Sequence, residues 1–260
     1  MNRLDALFAS KQSNLLNVYF TAGYPKLEDT APIIQGLADG GVDLIEIGMP
    51  YSDPMADGTT IQESSMQALK NGMTLDLLFE QIRQVRQQTE VPLILMGYYN
   101  QVMQYGAARF VKACTSAGVD GLILPDLPLA EYQETFQSLV DAADLRFSFL
   151  ITPQTSEARI RAIDAASDGF IYVVSSSAIT GSTSGISQAQ QDYFARIEAM
   201  NLSSPRLIGF GISDATTFNT ACQYANGAII GSAFIRALAD SNTVEATAKE
   251  FVEGIKGVVV

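Results

Sequence analysis

Two acidic residues in the stretch LIEIGMPYSDPMADGTTIQ, residues 44–62, are placed for proton transfer. Glu46 sits among Leu44, Ile45, Ile47 and Met49, in a run that reads as a buried strand. A carboxylate there loses water, its charged form is disfavoured and its pKa rises. Asp57 follows on a loop with two prolines and a glycine, in a polar context that keeps a carboxylate ionised. Two carboxyl groups in contrasting settings suit an acid/base pair. The same residues also fit a plainer reading, in which Glu46 makes a buried ion pair and Asp57 caps the following helix.

A second set of residues suits an anion. Glycine and serine cluster in ITGSTSG (179–185), GFGIS (209–213) and GSAF (231–234). Glycine lets backbone N–H groups approach a phosphate, and a helix N-terminus adds partial positive charge. Ser232 also fits a simple N-cap of a short helix, which is compatible with phosphate binding. The segment STSG, 182–185, has the composition of a lid that excludes water, and equally of an ordinary surface loop.

Strands and helices have to hold these residues in place. Apolar, β-rich runs occur at 15–22, 43–49, 92–98, 121–126, 146–152, 169–176, 206–212 and 227–233. Most lack strict alternation, as strands buried on both faces do. Amphipathic segments separate them, at 30–41, 74–89, 108–118, 130–143, 157–167, 190–201, 216–227 and 243–258, and several end in Gly or Asn. Strand and helix alternating in this number predict a single-domain (β/α)8 TIM barrel over residues 1–260, with a doubly wound sheet as the competitor. A barrel gathers its chemistry at the C-terminal ends of its strands. Glu46 and Asp57 fall at the second such end, Tyr98, Tyr99 and Asn100 at the third, Asp126 at the fourth and Tyr172 on the sixth strand. The three glycine clusters follow strands six, seven and eight, where barrels of this kind hold phosphate.

Composition removes several classes of function. The 260 residues carry a net charge of −12 and form no run of Lys or Arg, which argues against a nucleic-acid partner. An anionic substrate then depends on local groups. There is no histidine, so a Ser-His-Asp triad is excluded and the commonest transition-metal ligand is missing; no metal site is expected. Cys114 and Cys222 are far apart and form no CxxC, and they read as small buried hydrophobes in a reducing compartment. The N-terminal MNRLDALFASKQ has no signal-like apolar core, and no window is long and apolar enough to span a membrane. The expected location is the cytoplasm.

Over essentially its whole length the chain resembles the tryptophan synthase alpha subunit family. The family pattern of a strand ending in Glu, followed by roughly PFSDPxADGPxIQ, is matched by EIGMPYSDPMADGTTIQ. GYYNQV (97–102), VDGLILPDLP (119–128), the tyrosine of the sixth strand followed by ITG (179–181), GFGIS and GSAF extend the likeness in order. The resemblance implies a lyase that cleaves indole-3-glycerol phosphate to indole and glyceraldehyde 3-phosphate. It implies no cofactor in this chain, and a beta subunit that holds pyridoxal phosphate, receives the indole and assembles as alpha2beta2. Carried over by position, Glu46 and Asp57 are catalytic and Tyr172 is the active-site tyrosine. Phe210 lines the indole site, and Gly181, Gly211, Gly231 and Ser232 contact phosphate. Asp53 and Pro54, on the loop that joins the two carboxyl groups, are candidates for the partner interface. Two departures stand out: SSSAITG lacks the family's frequent Arg and has Ala178 at a common Gly position, and Thr59 replaces a common Pro. Both bear on lid closure and partner communication. A free-standing indole-releasing lyase, a weakly active subunit retained to activate a beta subunit, and another phosphate-binding barrel are the alternatives.

Overall fold

Eight of the apolar runs become strands because each can bury both faces, one against the barrel interior and one against the surrounding helices. In the computed structural model, which describes residues 1–175, 187–209 and 211–257, these are β1 (Leu15–Thr21), β2 (Leu44–Gly48), β3 (Leu93–Met96), β4 (Gly121–Ile123), β5, β6 (Ile171–Val174), β7 (Arg206–Gly209) and β8 (Gly227–Ile230). β5 comes as two pieces, Arg146–Phe147 paired with β4 and Phe149–Ile151 paired with β6. Ser148 bridges them: its N–H donates to the Leu122 carbonyl, and its hydroxyl accepts from the Phe170 N–H at 3.0 Å. Every pairing is parallel, and β8 pairs with β1, so the sheet closes. The expected barrel is therefore the observed one. Its strands stop earlier than the apolar runs do; β4 ends at Ile123, and Asp126 lies on the turn beyond it.

Register decides which side chains enter the barrel. Tyr19 pairs with Glu46, and Thr21 with Gly48, so one face of β1 and β2 carries Asn17, Tyr19, Glu46 and Gly48. That face is the interior. A Cβ on Gly48 would lie 2.1 Å from the Tyr19 hydroxyl oxygen, and one on Gly209 would lie 2.4 Å from the Tyr172 ring. Only glycine at these positions leaves room for two inward phenols.

Several helices begin where a side chain can take up free N–H groups. Thr74, Ser156, Ser187 and Asp214 each accept from a backbone N–H in the first turn of the helix that follows. The helix Thr59–Lys70 was not among the expected ones, because its sequence TTIQESSMQALK has no broad apolar stripe. It packs through small and polar residues instead, and Ser64 bonds to the Thr21 hydroxyl at 2.6 Å.

The N-terminal helix Arg3–Ser10 closes the base of the barrel, the end where the strands begin. Leu4 is fully buried there, and Phe8 meets Phe170 edge-on at 6.3 Å. Asp120, just before β4, accepts from Arg86 at 3.0 Å, Arg3 at 3.2 Å and the Leu93 N–H at 2.8 Å. A buried carboxylate with two guanidinium partners and a backbone donor has its lone pairs satisfied.

Candidate active site

Glu46 projects from β2 into the interior and is fully buried. Its Oε2 accepts a hydrogen bond from Nδ2 of Asn17 on β1 at 2.9 Å, and its Oε1 has no partner among the described residues. Burial pushes its pKa up to about 8; the Asn17 bond pulls the other way, and the charge of Asp57 adds to the rise. Among the described residues the buried ion pair is not found, since the group that meets Glu46 is a neutral amide.

Asp57 corrects an expectation. Its surroundings are not polar and wet: the residue is 5% exposed, and burial raises its pKa to about 6 against the opposing hydrogen bond from Tyr98. The Tyr98 hydroxyl donates to Oδ2 of Asp57 at 2.9 Å and accepts from the Ala56 N–H at 2.9 Å. The side chain does not cap the next helix either, whose N-cap is Gly58. The contrast between the two carboxyl groups survives for a different reason, namely that both are buried but, among the described residues, only Asp57 receives a hydroxyl. Near neutral pH, Glu46 is mostly protonated and Asp57 mostly ionised.

Two buried phenols share this space. Burial, and then the charges of Glu46 and Asp57, push the Tyr172 hydroxyl well above its ordinary range. Tyr19 is affected in the same way, by burial first and by Asp57 next. Both therefore act as neutral groups. Asn17 and Tyr19 were not among the expected site residues. The available signal was an Asn and a Tyr at strand spacing inside the fully buried run LLNVYFT.

Of the expected anion positions, Gly211, Gly231 and Ser232 approach the same mouth. Gly231 lies against Tyr19, with a Cβ there 3.4 Å from the ring, and the helix Ser232–Ala239 starts directly after it. The sequence β8, β1, β2 around the barrel thus runs from that helix start through Tyr19 to Glu46. Gly211 follows β7 with φ +82°, a conformation suited to glycine, and faces the Ser175 hydroxyl. Gly181, Phe210, Ala178 and the STSG segment lie outside the described residues.

The loop from Pro50 to Asp57 is tied to the end of β3. Tyr51 stacks on Tyr98 with centroids 5.0 Å apart, Asn100 donates to the Tyr51 hydroxyl, and Gln101 donates to the Pro50 carbonyl. The Tyr99 N–H donates to Asp126 at 2.8 Å, which connects the next loop. Asp53 is exposed on this loop, whereas Pro54 is buried and its carbonyl accepts from the Asp57 N–H at 3.1 Å. Met55 between them is 84% exposed. Among the described residues no cluster of His, Cys, Asp and Glu is arranged to hold a metal, and no helix is long and apolar enough to cross a membrane.

Comparison with known proteins gives a consistent result. The sequence pattern of the family described as tryptophan synthase alpha chain matches residues 6–258. A tryptophan synthase alpha chain of Parabacteroides distasonis is 50% identical, covering 98% of this chain and all of its own. One from Flavobacterium psychrophilum is 55% identical over 93% of this chain and 95% of its own. Among solved structures, a mutant tryptophan synthase alpha-subunit from Pyrococcus furiosus superposes with a TM-score of 0.86 at 33% identity, covering 95% of this chain and 99% of that one. A tryptophan synthase from M. tuberculosis in an aminoacrylate-bound form gives a TM-score of 0.85 at 29% identity, covering 98% of this chain and 100% of that one.

Proposed function

The chain belongs to the tryptophan synthase alpha chain family, and we propose that Glu46 and Asp57 carry its reaction. The protein is a lyase: as the alpha subunit it cleaves indole-3-glycerol phosphate to indole and glyceraldehyde 3-phosphate and passes indole to a beta subunit. What most supports these residues is the pair of buried carboxyl groups held in opposite protonation states at the mouth of the barrel.

Cleavage starts with a proton. Neutral Glu46 gives its proton to the indole ring carbon that bears the glycerol side chain. Positive charge then develops on the ring nitrogen, and ionised Asp57 accepts that N–H and stabilises it. The carbon–carbon bond breaks, and its electron pair returns to the ring as indole. The neighbouring hydroxyl loses its proton to the Glu46 carboxylate as the aldehyde forms. Glu46 ends as it began, and protons and electrons balance. Tyr172 and Phe210 line the indole side, while Gly181, Gly211, Gly231 and Ser232 receive the phosphate.

These steps need only the side chains named, so no cofactor is assigned to this chain, and pyridoxal phosphate is assigned to the beta subunit. Asp53 belongs, in this reading, to the surface on which the beta subunit sits, with Pro54 buried directly behind it, in an alpha2beta2 assembly in the cytoplasm. The test is indole release from indole-3-glycerol phosphate, with and without added beta subunit, by wild type and by Glu46→Gln. Release by wild type and none by the variant is expected; equal rates would remove Glu46 from the chemistry.

A further inference from the structure

Asn17 is a fully buried amide in the middle of an otherwise apolar strand. Its Nδ2 spends a donor on Oε2 of Glu46, at 2.9 Å, while its own Oδ1 has no partner among the described residues. A buried polar side chain satisfied at one end only is not explained by packing. Its position relative to the carboxyl is informative. Tyr19, not Asn17, is the residue in register with Glu46. Asn17 lies two residues earlier on the same interior face, one layer nearer the base, and so reaches the carboxyl from below while substrate reaches it from the mouth.

We propose that Asn17 is the positioning residue of the proton donor, holding Oε2 of Glu46 so that Oε1 carries the proton and faces substrate. The inference rests on the reading of Glu46 as the acid. An oxygen that accepts from an amide N–H is the poorer place for a proton, so in neutral Glu46 the proton resides on the other oxygen. The same bond fixes the plane of the carboxyl. After the proton has left, it stabilises the carboxylate that takes the hydroxyl proton. The groups that face Glu46 are Asn17 and Tyr19 from β1, Asp57 from the loop after β2 and Tyr172 from β6. Of these, Asn17 is the one that donates a hydrogen bond to it among the described residues.

The experiment compares wild type, Asn17→Leu, which keeps the branched shape but is larger, and Asn17→Ala, which removes the amide without crowding. The rate of indole formation from indole-3-glycerol phosphate is followed across pH, with thermal melting of each protein. The expected result in both variants is a fall in kcat of about tenfold or more at pH 7, with KM within about twofold. The basic limb of the pH profile should move up by about one unit, because the bond that favours the carboxylate is lost, and the acidic limb should stay in place. If one variant does not fold, the other carries the test, since the two perturb packing in opposite directions. A folded variant whose basic limb matches wild type, with kcat reduced equally at every pH or not at all, would overturn the proposal in favour of a purely structural amide. Glu46→Gln is run in parallel. Activity in that variant would sink the reading of Glu46 itself, whereas an inactive Glu46→Gln with an unmoved limb in the Asn17 variants would sink the positioning role alone.

Discussion

Glu46 is an acid that the fold keeps protonated by depriving it of water. That has a consequence for stability as well as for chemistry. The folded pKa, about 8, lies above the unfolded value of 4.5. Between those two pH values the folded chain binds a proton that the unfolded chain releases, so stability falls as pH rises through this window and levels off above it. The accumulated penalty is on the order of a few kcal/mol. Glu46→Gln has no proton to lose and keeps the side-chain size. The variant is therefore expected to release indole at least ~100-fold more slowly and yet to melt at a higher temperature than wild type at pH 8 to 9. Near pH 5 the two should melt together. Melting curves at the two pH values check this, and a Tm difference that does not grow with pH would show that Glu46 is not held neutral. In the proposed reaction Asp57 must be ionised, and kcat/KM should be bell-shaped with apparent limbs near 6 and 8, belonging to the coupled pair.

Between the residue and the barrel stand the loops that follow the strands, and here neighbouring elements hold the chemistry. Tyr98, at the end of β3, fixes Asp57 on the loop after β2. Tyr98→Phe deletes a hydrogen bond to a charged group, ~1.5–3 kcal/mol, or about one to two pH units on Asp57. The acidic limb should rise accordingly, with a loss of about 5- to 50-fold at pH 6 and less at pH 7.5, measured as kcat/KM; an unshifted limb would mean that Asp57 is tuned elsewhere. At the end of β7, Gly211 offers a paired test. Gly211→Ala and Gly211→Asp both strain a φ of +82°, and only the second adds negative charge. A much larger rise in KM for the aspartate variant is expected if phosphate sits there, and equal effects would leave the loop as a turn. The elements themselves were largely legible in the sequence, because doubly buried strands and capped amphipathic helices leave local signatures. The helix Thr59–Lys70 left none, since it packs through Ile61, Ser64, Ser65 and Ala68 rather than a broad apolar stripe. The burial of Glu46 was legible because it lies within a strand that is buried on both faces along its whole length. The burial of Asp57 was not, since it depends on a tyrosine from another strand, and Asn17 was hidden by the apolar run that surrounds it.

At the scale of the whole molecule, the loop from Pro50 to Asp57 is the piece of the mouth that both faces outward and carries a buried carboxyl group. Asp53 and Met55 are exposed, while Pro54 and Asp57 are buried beneath them. In the proposed reading, a beta subunit pressing on this loop moves Asp57 through very few bonds, and a displacement of about 1 Å is worth ~100-fold in rate. Asp53→Ala is therefore expected to lower the activation conferred by saturating beta subunit more than it lowers the rate of the chain alone. Equal fold-activation in variant and wild type would show that Asp53 does not transmit the contact. The helix Arg3–Ser10, with Leu4 fully buried and Asp120 gripped by two arginines, stoppers the opposite end. A vessel closed at its base imposes a queue. Reactant enters, and two products leave, through the opening where the strands end. In the proposed layout the phosphate-bearing product occupies the rim at β7 and β8, while indole lies deeper, beside Glu46. The product made first available to leave is the one nearer the opening, and indole waits behind it unless a neighbour docked over the loops of β2 and β3 provides a side exit. A partner of this kind then acts as more than a switch: it changes the order in which the barrel empties.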